Sequence, residues 1–133
     1  MEVIKDGNDV LAKILYEDDF HKSQFISENE DPLQVGVFIN PAGAEIVNHV
    51  HNIFSRETLV TQEMIYVVAG ALKARIYTSE KVLVSEKVLK APSMIYLVSG
   101  GHGFTVLEDN TIFFEAKNGP YYGVEKDKVK FYD

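Results

Sequence analysis

Cysteine is absent from this chain of 133 residues, and so is tryptophan. The first absence removes disulfide frameworks, iron–sulfur clusters, thiolate zinc sites and cysteine nucleophiles together. Any metal would have to be held by nitrogen and oxygen. Basic residues are scarce as well: 13 lysines and arginines stand against 20 aspartates and glutamates, a formal net charge of −7. Arg56 and Arg75 are the only arginines. This balance lacks the basic face that nucleic-acid phosphates require, and anionic membrane surfaces repel it. Long apolar runs are missing too, since the longest, Met64–Leu72, is broken by Gly70 and is too short to span a bilayer. The opening MEVIKDGND has neither a basic nor an apolar leader region. The expectation is a soluble cytoplasmic protein with no nucleic-acid or membrane partner. A chain this long buries roughly 65–70% of its unfolded surface, enough for one core without staples. Residues 1–133 therefore read as a single domain. HExxH, P-loop, G-x-G-x-x-G and Gly-x-Ser-x-Gly patterns are all absent.

Short runs rich in Val, Ile, Tyr and Phe are what the chain does contain. They cover Leu33–Asn40, Glu45–His51, Gln62–Ala69, Leu72–Thr78, Lys81–Leu89, Ser93–Val98, Phe104–Glu108 and Thr111–Lys117, with Gly, Pro, Asn and Asp clusters between them. Short strands at such spacing predict an antiparallel sandwich or barrel, all-β, with less than about a fifth helix. In Leu72–Tyr77 the alternation puts Leu72, Ala74 and Ile76 on one face and Lys73, Arg75 and Tyr77 on the other. Val10–Tyr16 fits a short helix or a strand equally. Lys22–Asp31 reads as a polar loop or helical turn, and Tyr121–Asp133 as an extended arm.

The candidate chemistry lies in three places. His49 and His51, two apart on a predicted strand, leave one face, where paired imidazoles can grip a cation or simply stand half exposed. Glu63 opens a strongly apolar strand, on the face shared with Ile65 and Val67. An ionised carboxylate on a buried face needs a partner or a metal, and on a solvent face it needs neither. His102 is ringed by Gly100, Gly101 and Gly103, either closing a site or capping a turn. His21 sits in a polar loop without a partner pattern.

The stretch Gly43-x5-His49-x-His51 followed by Glu63-x6-Gly70 resembles the first motif of the cupin superfamily, and Gly100-Gly101-His102 is similar to its second. The likeness covers about Val35 to Lys117. It departs from the usual pattern in the gap between His51 and Glu63, which holds eleven residues, Asn52–Gln62, where three or four are common. Ala91, Leu97, Ser99 and Val106 also stand where the second motif carries other residues. Together with the terminal NGPYYG-x3-DK-x2-F, the pattern resembles small single-domain bacterial cupins without a secure activity. The resemblance implies a double-stranded β-helix, or jelly-roll, barrel with its core at about 33–117, an N-terminal extension over 1–32 and a C-terminal arm over 118–133.

It further implies that His49, His51, Glu63 and His102 hold a divalent transition metal (Fe, Mn, Ni or Zn) with positions open for a ligand. Such an ion polarises a carbonyl or enol, acidifies water or, if iron, activates dioxygen. A metal-dependent enzyme acting on a small oxygenated metabolite is the leading expectation. A metal-free sugar isomerase or epimerase, using histidine and tyrosine as acid and base, is one alternative, and a non-catalytic small-molecule binding module is another. Arg56 and Arg75 are candidate anion holders, Arg56 alternatively pairing with Glu57 at the surface. Tyr77 and Phe104 are candidate pocket walls, as are Phe54, Phe113 and Phe114, although small barrels fill with such side chains. A homodimer is expected from the resemblance and from the need to cover sheet edges and the face that holds Tyr66.

Overall fold

The computed structural model describes residues 1–132. Ten strands run along the chain: β1 (Glu2–Asp6), β2 (Asp9–Leu15), β3 (Gln24–Phe25), β4 (Gly36–Val37), β5 (Glu63–Ala69), β6 (Ala71–Tyr77), β7 (Leu83–Lys90), β8 (Ser93–Leu97), β9 (Gly101–Val106) and β10 (Ile112–Lys117). A 3-10 turn covers Glu17–Asp19, and one helical turn, α1, covers Val124–Asp127. Strand accounts for 42% of the chain and helix for 5%, so the all-β, antiparallel reading holds.

Two sheets face each other. The larger has the order β1-β2-β8-β5-β10 and the smaller β7-β6-β9, with every pairing antiparallel. Alternation supplies the core between them. Leu72, Ala74 and Ile76 from β6 meet Ala12, Ile14, Ile65, Val67 and Ile95 from the larger sheet, all fully buried. Each such aliphatic side chain contributes about 1.5–3 kcal/mol by leaving water. Lys87 of β7 lies 2.6 Å from Glu2 of β1 and ties the two sheets along one side. Hydrogen bonding to Lys87 holds the Glu2 carboxyl below its usual range.

Several elements depart from the sequence expectations. Val10–Tyr16 resolves as strand β2, because β8 offers it a ladder (Ile14 opposite Ile95), so the N-terminal residues belong to the larger sheet and the core. Residues 16–37, with the β3–β4 hairpin, fold over that sheet's outer face. Ile26 and Val35 pack there against Leu15, Met94 and Tyr96, and Phe20 meets Tyr66 edge-on at 6.2 Å. The Tyr66 face is thus covered by the chain itself and does not demand a second copy. Of the expected strand Leu33–Asn40 only Gly36–Val37 forms, and the expected strand Glu45–His51 does not form at all. Residues 38–62 have no regular structure, and nearly all are exposed. The C-terminal arm contains α1 where a purely extended course was expected.

Candidate active-site groove

Glu63 opens β5 on the strand's inward face, as alternation with Ile65 and Val67 requires, and is 6% exposed. His102 lies within β9, not in the turn before it. Its cross-strand partner is Ile76, which faces the core, so the imidazole faces the core as well. The two side chains come from opposite sheets and meet: His102 Nε2 is 2.9 Å from Glu63 Oε2. The hydrogen bond from His102 holds the Glu63 carboxyl below its usual range although burial pushes the other way. The nearby charges of His102, Lys128 and Lys117 add to the lowering. Lys117 Nζ lies 3.9 Å from Glu63 Oε1 and donates to Asp127 Oδ2 at 2.9 Å. That last bond raises the Lys117 ammonium above its ordinary pKa.

The residue before Glu63 fixes it in place. Gln62 is almost completely buried, and its Oε1 accepts from the Tyr96 hydroxyl at 2.6 Å. Its Nε2 donates to Asp31 Oδ1 at 2.9 Å, and its backbone N–H to Asn118 Oδ1 at 2.7 Å. Burial, with Asp31 nearby, pushes the Tyr96 phenol well above its usual range. The hub thus joins the β3–β4 region, β8 and the chain after β10 to the start of β5.

The Gly-rich run has separate duties. Gly100 adopts φ +73°, and a Cβ there would collide with the Tyr77 carbonyl, so the turn into β9 needs glycine. A Cβ on Gly101 would come within 3.3 Å of the Phe131 ring, and one on Gly103 within 3.0 Å of Arg75 Nη2. Around this run opens a groove of about 830 Å³ whose lining includes Glu63 and His102. Leu59–Thr61, Asp127–Tyr132, Arg75 and Tyr77 line it as well.

Of the residues expected at the site, Glu63 and His102 are brought together, and Arg75 and Tyr77 line the same groove from the outer face of β6. Arg75 Nη1 donates to Thr105 Oγ1 at 2.7 Å. Phe104 faces inward, with its ring 5.6 Å from His102, and belongs to the core boundary, not to the groove lining. His49 and His51 sit in the irregular segment, exposed, their rings 5.2 Å apart. Arg56 is in the same segment with its guanidinium 3.7 Å above Phe54, away from the groove. Among the described residues no group of three or more metal-type side chains converges. Lys117, Asp127, Lys128 and Phe131 were not anticipated at the site. Their signal was the terminal NGPYYG-x3-DK-x2-F, which contains three of the four.

Comparison of the chain with family models, with curated proteins and with solved structures gives no match.

Proposed function

We propose that the groove is the working site of a small metal-binding cupin that acts as an enzyme on a small oxygenated metabolite. The observation that carries this reading is the meeting of Glu63 and His102 from opposite sheets. A carboxylate oxygen and an imidazole nitrogen are donor types that a divalent transition ion takes, and these two stand 2.9 Å apart in direct hydrogen bond. The pair therefore suits a divalent ion of the Fe, Mn, Ni or Zn kind, but supplies only two of the four donors that the family resemblance implies. His49 and His51 would supply the others. Val47, His49 and His51 alternate as a strand would, and among the described residues β9 pairs only with β6, which leaves its other edge for such a segment. When bound, the ion would act as a Lewis acid toward a carbonyl, enol or water.

The chain's own groups have roles that do not depend on the ion. In the absence of an ion Glu63 holds the His102 ring in one orientation through the hydrogen bond at Nε2, and an ion held by both atoms would replace that bond. Lys117 steadies the carboxylate, and the Gln62 hub fixes where it stands. A histidine oriented by a carboxylate is also the arrangement of a general acid–base pair, and Tyr77 lines the same groove. That contact favours the metal-free isomerase or epimerase as the second reading.

Thermal unfolding with and without chelator separates the two. An ion bound only by the folded chain adds about 2.7 kcal/mol at a hundredfold excess over Kd. Chelator should then lower the Tm of metal-supplemented wild type and of His21→Ala by several degrees, and that of Glu63→Ala or His51→Ala much less. Equal chelator effects in all four would refute the metal reading. Turnover of a carbonyl or diol panel by metal-free protein would support the second.

A further inference from the structure

The two sheets differ in width, the larger having five strands and the smaller three. Lys87 of β7 meets Glu2 of β1 along one side, and His102 of β9 meets Glu63 of β5 toward the other. Beyond β5 the larger sheet continues into β10, whereas among the described residues no strand of the smaller sheet lies beyond β9. The side chains show what this leaves uncovered. Val106 pairs with Leu72 and Phe113 with Val67, both core residues, so Val106 and Phe113 face inward as well. They are nevertheless 58% and 40% exposed. An unpaired edge beside inward-facing apolar side chains is a place for one more strand. Residues 38–62 are tethered at both ends and free between. Ile39 N–H donates to Ser23 Oγ at 2.8 Å, and Val60 O accepts from Asn118 Nδ2, just after β10, at 3.1 Å. Between these anchors a turn is already formed, with Ala44 N–H donating to Pro41 O at 3.1 Å and Gly43 at φ +84°. After the turn comes Glu45–His51, an alternating run in which Ile46, Val47 and Val50 are each at least 75% exposed.

We propose that residues 45–51 dock within the same chain as a fourth strand on the free edge of β9, antiparallel to it, with Val47 against Val106 and Phe113 and with His51 at the His102 end. The partner of this edge is thus the chain's own segment and not a second copy. The eleven residues from Asn52 to Gln62 give ample length for the return to β5. The metal reading uses this docking to bring in His49 and His51, but the docking itself rests on packing and pairing and needs no ion.

The test is amide hydrogen exchange of the full chain, treated with chelator and dialysed. Alternate amides within 45–51 should exchange roughly tenfold or more slowly than those of 52–58. Val47→Asp should abolish that difference while the amides of β6 stay protected. Because the chain has no cysteine, a pair of introduced ones reports the register directly. Under mild oxidation Val47→Cys with Val106→Cys should form a disulfide within one chain in most molecules. Val50→Cys with Val106→Cys should form little, since Val50 points to the other face of the strand. Unprotected amides across 45–51, protection that survives Val47→Asp, or equal yields from the two cysteine pairs would overturn the proposal. Disulfide-linked dimers as the main product would give the edge to a second copy and overturn it as well. Because the protein is metal-free throughout, the two readings fail separately. Near one ion per chain on metal addition, with 45–51 unprotected here, sinks this proposal alone, and protection without metal affinity sinks only the metal reading.

Discussion

The two halves of the expected ligand set sit in contrasting surroundings. Glu63 and His102 stand on strands with continuous ladders, β5 between β8 and β10, and β9 against β6. His49 and His51 stand in a segment of 25 residues, 38–62, without a ladder, where Ile53 and Leu59 are fully exposed. In the first region a side chain's direction follows from register, because a slip of one residue would turn Ile65 and Val67 out of the core. In the second nothing ties the alternation of Val47, His49 and His51 to a face. The same period-2 pattern is therefore decisive where a neighbouring strand uses it and empty where none does.

This contrast can be broken by substitution, and the largest effects belong to the body. Ile76→Ala or Ile95→Ala should cost about 2–5 kcal/mol in urea unfolding, because each leaves a cavity in a filled core. Ile53→Ala and Leu59→Ala should stay within about 0.5 kcal/mol, as surface changes do. A loss of 2 kcal/mol or more at Leu59 would mean that the segment is packed in solution. Gly100→Ala should cost about 2–3 kcal/mol, combining the left-handed backbone with the clash at the Tyr77 carbonyl. Gln62→Ala leaves the Tyr96 hydroxyl and the Asp31 carboxylate without their buried partner and should cost about 1–3 kcal/mol.

The smallest effect is the pH dependence of Glu63. Its folded pKa is depressed, chiefly by the His102 hydrogen bond, so the stability it contributes is present above the ordinary carboxylate value of about 4.3. It is lost as pH falls through that value toward the lower folded one. Glu63→Gln should flatten the acid limb of the stability–pH curve, and His102→Gln should flatten it less, because Lys117 remains. An unchanged acid limb in Glu63→Gln would show that the pair does not form.

Much of this was legible in the sequence. The strands β5 to β8 and β10, the burial of Leu72, Ala74 and Ile76, and the inward direction of Glu63 all follow from alternation and turn residues. The role of Val10–Tyr16 was not legible, because seven apolar-rich residues fit a helix or a strand until β8 supplies a partner. The cover over Tyr66 came from residues 16–37, too polar in composition to read as a packing layer. Arg75 and Tyr77 were placed by alternation on the face opposite Leu72, Ala74 and Ile76, and were also expected in the pocket, which both line, Tyr77 almost completely buried. The part played by Phe131 and Asp127 depended on the tail's path, which no local pattern encodes.

The metal content of purified protein tests the central claim most directly. On the proposed reading Glu63 and His102 hold the ion from the two sheets and His49 and His51 complete its ligand set. Untagged wild type, saturated with a divalent transition metal and dialysed, should carry near one ion per chain. The Glu63→Gln/His102→Gln and His49→Ala/His51→Ala double variants should each carry almost none while unfolding cooperatively. An ion retained at near one per chain in either double variant would contradict the account.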